Sequence, residues 1–411
     1  MPSVIQQGNT GAIVSQWQAF LNTQGADLST AGSFGPVTAG VTRNFQQKHG
    51  LVADGVVGPI TWNKAREIAG YVYTNGTQFG LNGKPFRFVG VNLRGLIHYG
   101  DPSFQRTQSS VPSDRQNQLN QARAIGAKVV RVTIAGRNQS PSQVGDRLQT
   151  ALDEANPSGQ SPLFFLVTFA DVFFNDTFLT VQGDDQFYNG TLTDAFYQQD
   201  YKVNYLPFVE YIVTRFRNDH RIFAWELGNE FKTDITTFGN FSEAVSNRIF
   251  ELDAFHLVTT GIINCGNLGM DYNNMPPQEP YNLPNIDFGT AHFYQSFDDG
   301  QCFAGQDPNA PAWAQAEMDR VPHEIALAKS KNKPVIIEEY GCCAGDRAQE
   351  TANAMSQWFG QGAVGFMQWG FMAPGGTNDT GDGDHTWGMD QTLHGDYAPM
   401  AAVYQQQAAA L

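Results

Sequence analysis

Positive charge is scarce in this chain. Its 411 residues carry 25 Lys and Arg against 40 Asp and Glu, a formal net charge of −15. A surface of that sign repels polyanions, so neither nucleic acid nor an anionic membrane is an expected partner, and a neutral or cationic polymer fits better. Long apolar runs are missing as well. None approaches the ~20 residues that span a bilayer. Cysteine is rare: Cys265, Cys302, Cys342 and Cys343 all lie in the C-terminal half, without the Cys-x-x-Cys spacing of a zinc site. In an oxidising compartment they would form one or two disulfides, with Cys302 to Cys342 or Cys343 as one pairing; otherwise they are partly buried thiols. The opening Met1-Pro2-Ser3-Val4 lacks the basic and apolar regions of a signal peptide. No Gly-rich phosphate turn follows an early strand, which disfavours a doubly wound nucleotide-binding sheet. No Pro- or Ser-rich linker interrupts the chain around Ala69-Gly70-Tyr71, so the segments on either side should rest against each other.

What is present divides into two parts, residues 1–70 and 71–411. The 41% hydrophobic content and 30 Phe are enough for a sizeable core. In the first part, Gly11 to Gly25 reads as an amphipathic helix with Val14, Trp17, Phe20 and Leu21 on one face. A near-repeat follows. Phe34-Gly35-Pro36-Val37-Thr38 precedes a helix ending at Gly50, and Val57-Gly58-Pro59-Ile60-Thr61-Trp62 precedes another ending near Gly70. In both, Pro stands at a helix start, where its missing N–H is tolerated. Trp17 and Trp62 read as core residues. This stretch, on Phe45-Gln46-Gln47-Lys48-His49-Gly50-Leu51 and Asp54-Gly55-Val56-Val57-Gly58-Pro59-Ile60-Thr61-Trp62, resembles the peptidoglycan-binding module of cell-wall hydrolases. The resemblance implies a small three-helix domain and a possible cell-wall glycan as its ligand.

From Tyr71 onward the pattern changes. A hairpin entry with Asn82-Gly83 as its turn signal comes first. Strand candidates then recur at Phe86–Val91, Lys128–Ile134, Leu163–Phe169, Ile222–Leu227, His256–Gly261, Ile286–Ala291, Pro334–Glu339 and Ala363–Trp369. Helical stretches lie between them at Ser113–Ile125, Val144–Ala155, Tyr197–Phe216 and Met318–Lys329. Eight apolar strands with helical crossovers predict an α/β fold, a (β/α)8 barrel with insertions, preceded by the small all-α domain.

Catalytic groups of such a barrel sit at the C-terminal ends of its strands. Arg131 lies on the second strand and Asp171 follows the third. Asn229-Glu230 ends the fourth, His292-Phe293-Tyr294 the sixth, Glu339-Tyr340 the seventh and Trp369 the eighth. Two converging carboxylates, one protonated and one ionised, are what hydrolysis of a glycosidic bond needs. Two further carboxylates compete. Side chains alternate along a strand, so only one of Glu338 and Glu339 should face the barrel axis, and Glu226, four residues before Glu230, reads as a structural contact.

Together, Asn229-Glu230, His292-x-Tyr294, Glu339-Tyr340-Gly341 and Trp369 resemble a family 5 glycoside hydrolase, a retaining barrel of clan A. The resemblance implies Glu230 as acid/base and Glu339 as nucleophile. It also implies Asn229 on the sugar 2-hydroxyl, Arg131 and Tyr294 holding Glu339 ionised and oriented, His292 beside the acid/base, and Trp369 stacked under the sugar. The segments around the fourth to seventh strands look most like endo-β-1,4-mannanases. The second strand departs from them in lacking a tryptophan after Arg131, and the third ends in Thr168-Phe169-Ala170-Asp171 rather than Asn-x-Trp. The expected activity is therefore endo-cleavage of β-mannan. A chitosanase, a β-1,4-glucanase or a catalytically inert wall-binding protein are the alternatives. No cofactor or metal is expected: Asn378 to His385 lacks EF-hand spacing, and Trp387 beyond it either extends a sugar subsite or packs the loop. A secreted monomer acting on polysaccharide completes the expectation.

Overall fold

The computed structural model describes residues 4–98, 112–134, 139–171, 192–268, 277, 279–295, 297–298, 301–302, 312–342, 346–372, 374, 388–390 and 395–411. Three helices come first: α1 (Ala12–Thr23), α2 (Pro36–Lys48) and α3 (Pro59–Ala69). α2 and α3 each begin with Pro behind an extended glycine, Gly35 and Gly58. Gly70 ends α3 in the left-handed region, φ 82°, a backbone conformation that a residue with a Cβ adopts only under strain. Trp17 and Trp62 meet edge to face at 5.2 Å, both fully buried. The Trp17 indole N–H donates to Thr42 Oγ1 at 2.9 Å. Both are core residues, as expected.

A three-stranded antiparallel ribbon follows, Tyr73–Asn75, Gln78–Leu81 and Lys84–Pro85. Asn82 and Gly83 both take positive φ, 52° and 74°, as the turn between the last two strands requires. The barrel proper has strands β1 (Phe88–Asn92), β2 (Val129–Thr133), β3 (Phe164–Thr168), β4 (Ile222–Glu226), β5 (Leu257–Thr259), β6 (Gly289–Gln295), β7 (Val335–Cys342) and β8 (Gly365–Gln368). Their order is β5-β4-β3-β2-β1-β8-β7-β6, with every neighbouring pair parallel. Between β5 and β6, Asp287 N–H donates to Val258 O and His292 N–H to Ile263 O, each at 2.8 Å, which closes the ring. From β1 to β5 every strand residue is buried. A wall covered on both faces reads in sequence as an unbroken apolar run.

The outer helices are α4 (Pro112–Ala124), α5 (Pro141–Ala155), α6 (Asp194–Gln198), α7 (Tyr205–Phe216), α8 (Ile235–Leu252), α9 (Ala312–Ser330), α10 (Arg347–Gln361) and α11 (Tyr397–Ala410). Ser140 and Gln143 form a capping box at the start of α5. The expected single helix over 197–216 is instead α6, a 3-10 turn at Asp200–Lys202 and α7. β6 begins three residues later than expected, because Asp287 is drawn off to the Val258 N–H and to Arg66. Among the described residues, no helix is long and apolar enough to cross a membrane.

The two ends of the barrel differ. At the N-terminal ends of the strands, Phe79 of the ribbon enters like a stopper, its ring 5.2 Å from both Phe223 and Phe288. Phe86, Phe88 and Phe164 complete this apolar plug. The helical module packs on the same end. Trp62 meets Phe250 at 5.6 Å, and Phe20 meets Phe255 at 5.7 Å. Gln16 donates to Glu251 O at 2.8 Å and accepts from Ala254 N–H at 3.1 Å. Arg66, 1% exposed, donates to Ala254 O at 3.2 Å and pairs with Asp287 at 3.1 Å. The module thus rests against the barrel, and the opposite end is left open for the site.

Candidate active site

All seven residues singled out in the sequence meet at the C-terminal ends of the strands. Arg131 of β2 is the hub. Its Nε and Nη2 grip Glu226 at 2.9 and 2.6 Å. Nη2 also donates to Asn229 Oδ1 at 2.8 Å, and Nη1 donates to Asn92 Oδ1 at 3.1 Å and to Glu339 Oε1. Tyr294 Oη donates to the other oxygen of Glu339. His292 lies between two carboxylates, with Nδ1 2.7 Å from Glu230 Oε1 and Nε2 3.0 Å from Glu338 Oε2. Trp369 is nearly buried, its ring edge-on to Tyr294 at 6.4 Å. One carboxylate oxygen of Glu230 and one of Glu339 lie within 4.8 Å of each other.

Local backbone arranges this convergence. Glu230 takes φ 55°, unusual for a residue with a Cβ. Such a conformation carries strain of about 1–3 kcal/mol and persists only where its surroundings enforce it. Here the Glu230 N–H donates to Gly261 O at 2.9 Å. Gly261, φ 70°, has no room for a side chain: a Cβ there would lie 2.2 Å from Glu226 Oε1 and 2.4 Å from Gly228 O. Glu230 keeps 11% of its side chain exposed while Glu339 keeps 2%, so the former faces the opening and the latter the floor.

The expectation that only one of Glu338 and Glu339 faces the axis is corrected. Pairing of β7 with β6 steps from Ile337 directly to Glu339, and with β8 from Ile337 to Tyr340. A bulge at Glu338 breaks the two-residue alternation, and both carboxylates turn inward. Glu226 is the structural contact expected of it: besides Arg131 it accepts from Thr168 Oγ1 at 3.0 Å.

Charge is crowded here. Burial alone would lower His292, but Glu339 and the bonds to Glu230 and Glu338 push it up to about 10, so the imidazole is cationic at neutral pH. Burial raises the Glu226 carboxyl to about 7 against the pull of Arg131. Glu338 resists burial through Arg131 and His292 and lies below the ordinary range. Glu339 was expected to be held down by Arg131. Instead burial carries it above the ordinary range, with His292 and Arg131 opposing. One guanidinium shared among Glu226, Glu338 and Glu339 cannot fully compensate each of them.

Two contributors escaped sequence reading. Asn92, at the end of β1, bridges Arg131 and the carbonyls of Glu338 and Gln368. Arg94 pairs with Asp171 at 2.7 Å and stacks over Trp369 at 5.6 Å. Asp171 in turn accepts from Asn229 at 3.2 Å, so this residue buttresses the site rather than capping a turn. The signal was available, since Asn92 and Arg94 stand at the end of β1 as Arg131 and Thr133 stand on β2 and Asn229 and Glu230 follow β4. Residues 378–387 and the side chains of Cys302 and Cys343 lie outside the described residues, and with them the loop, Trp387 and disulfide expectations. Glu230, His292 and Glu339 are close enough together to hold a metal ion. However, both nitrogens of His292 already face carboxylates, and a cation would have to break that relay.

Paired carboxylates on the open end of a (β/α)8 barrel, backed by a cationic floor, are an arrangement that glycoside hydrolysis can use. Residues 175–401, more than half the chain, match the family model described as GH family 5 beta-mannosidase-like, and residues 10–64 match a putative peptidoglycan binding domain. The chain belongs to glycoside hydrolase family 5, and it is an enzyme of that family. Mannan endo-1,4-beta-mannosidase A of Hypocrea jecorina is 25% identical over 359 residues, 77% of this chain and 74% of that protein. Mannan endo-1,4-beta-mannosidase 4 of Solanum lycopersicum is 25% identical over 301 residues, covering 66% and 72%. The crystal structure of the endo-1,4-beta-mannanase from Rhizomucor miehei superposes with a TM-score of 0.57 at 18% identity, over 83% of this chain and 100% of that one.

Proposed function

We propose that this enzyme is a retaining, endo-acting glycoside hydrolase that cleaves β-1,4-linked mannan by double displacement. The observation that carries the reading is the approach of Glu230 and Glu339 oxygens to within 4.8 Å of each other at the open end of the barrel. Retaining pairs stand about 5–5.5 Å apart, whereas inverting pairs leave room for a water between them. In the first step a Glu339 oxygen bonds to the anomeric carbon while Glu230 passes its proton to the departing glycosidic oxygen. In the second, Glu230 takes a proton from water, the water oxygen bonds to the anomeric carbon and Glu339 is released. Arg131 and Tyr294 hold Glu339 on the attack line. His292 stabilises Glu230 each time it becomes a carboxylate. Asn229 binds the 2-hydroxyl, and Trp369 supports the sugar ring.

Mannan is favoured by the family model and by the mannanase relatives. Residues 71–411 are the catalytic unit and residues 1–70 a glycan-retaining accessory on a secreted, monomeric enzyme. The test is reducing-end release by wild type and Glu339→Ala on β-mannan, carboxymethyl cellulose, chitosan and peptidoglycan. Release from mannan alone, lost in the variant, is the expected result. Release from another polymer alone would overturn the substrate, and activity surviving the substitution would overturn the assigned nucleophile.

A further inference from the structure

One described cleft lies away from the catalytic end. A cavity of about 720 Å³ opens where the module meets the barrel, between α3, the first ribbon strand, the segment before β6 and the turn before β7. Its size falls within the ~300–1,000 Å³ of small-ligand sites. All the barrel segments that line it sit at the N-terminal ends of the strands, so it faces away from Glu230 and Glu339.

Its walls select a chemistry. Tyr73 lies across from Gly80 in the ribbon, and a Cβ on Gly80 would come within 2.3 Å of the Tyr73 ring. The glycine therefore lets the ring lie flat as a shelf, half-buried, on the wall of the cleft. Asn75 and Asn332 add amide groups that make no side-chain hydrogen bond among the described residues. The charges, by contrast, are already engaged. Lys64 pairs with Glu67, and Lys331 pairs with Glu279 at 3.1 Å. Lys333 donates to Leu283 O at 2.8 Å, and Asp287 is held by Arg66 at 3.1 Å. A flat aromatic face, free amides and charges already engaged within the wall suit an uncharged, hydroxyl-rich ligand better than a charged peptide or polyanion.

We propose that this cleft is a second glycan site, taking a short segment of an uncharged β-1,4-linked oligosaccharide across the module–barrel seam. The assignment of ligand class rests on the glycosidase reading above. It places the accessory function in a groove built by both domains rather than in residues 1–70 alone.

Hydrogen exchange on the full-length Glu339→Ala protein with mannohexaose, and separately with N-acetylchitohexaose, tests this. Protection of residues 60–76 and 331–333 by either sugar is expected, and which sugar protects identifies the source polymer. Tyr73→Ala should weaken that binding about 5–10-fold. Asn332→Gly, at a position with φ 56° that glycine adopts without strain, should weaken it about 3-fold. In the catalytically intact background, both variants should hydrolyse a short soluble substrate at the wild-type rate. Protection confined to the catalytic end, or binding unchanged in both variants, would overturn the proposal. If no polymer is hydrolysed while Tyr73-dependent protection persists, the glycosidase reading fails and the cleft stands.

Discussion

The two ends of this barrel are filled with opposite materials. At one end Phe79, Phe88, Phe223 and Phe288 form a dry plug that contacts the helical module's side of the molecule. At the other, Arg131 and His292 are packed among Glu226, Glu230, Glu338 and Glu339. The aromatic end has one register shift, where β4 skips Phe223 against β3, and it leaves that ring in the plug. The charged end holds a glutamate at φ 55° and a bulge in β7. On the proposed catalytic assignment, stability and catalysis draw on separate ends of one scaffold, and each should respond to its own substitutions.

The largest effect that would expose this division is on turnover. Glu339→Ala should reduce kcat by roughly 10⁴-fold or more. Its stability should stay within about 1 kcal/mol of wild type or rise, because Arg131 keeps its two-point grip on Glu226 and one fewer carboxylate competes for it. Urea denaturation followed by fluorescence, with a turnover assay on the same sample, measures both; marked destabilisation would break the comparison. Phe79→Ala is the mirror image. It should destabilise by about 3–5 kcal/mol and leave kcat/KM at 25 °C within about 2-fold of wild type, and a large loss of activity in folded protein would show that the ends communicate.

The smallest effect concerns pH. His292 titrates at about 10 in the folded chain against an ordinary 6.5, so the folded state holds this proton more tightly. Its contribution to stability is complete below pH about 6.5 and is lost as pH rises toward 10. Glu338→Gln removes one of the carboxylates that hold the imidazolium and should bring this loss to lower pH. Denaturation midpoints between pH 6 and 10 would show it, and superimposable profiles would mean that Glu338 does not govern His292.

The same division explains what could be read from the sequence. Strands at the dry end announce themselves as apolar runs, and Pro after Gly marks the starts of α2 and α3, because those patterns follow from burial and backbone geometry alone. Glu230, Glu339, Arg131, Asn229, His292, Tyr294 and Trp369 were legible because strand ends point to one place. Glu338 was misread because alternation assumes a regular ladder, and the bulge at that residue is a tertiary compromise that no local pattern encodes. Arg94 was missed because its partners, Asp171 and Trp369, are 77 and 275 positions away. The helix predicted over 197–216 breaks at Gln199 to Asn204, a break that Pro207 announces, because its ring clashes with the Val203 carbonyl of a continuous helix and is tolerated in the first turn of α7.

The seam between module and barrel has a consequence for protein engineering. Catalytic domains carried on flexible tethers can be cut free and exchanged as cassettes. Here an excision between Gly70 and Tyr71 would strip Asp287 of Arg66 and uncover Phe250 and Phe255, leaving a greasy, charge-scarred face on each fragment. A barrel produced without its first 70 residues should be sticky and short-lived, and a foreign module grafted in their place would need to bring its own Trp62 and Arg66. In this enzyme the accessory is part of the foundation, and it was not built to be interchangeable.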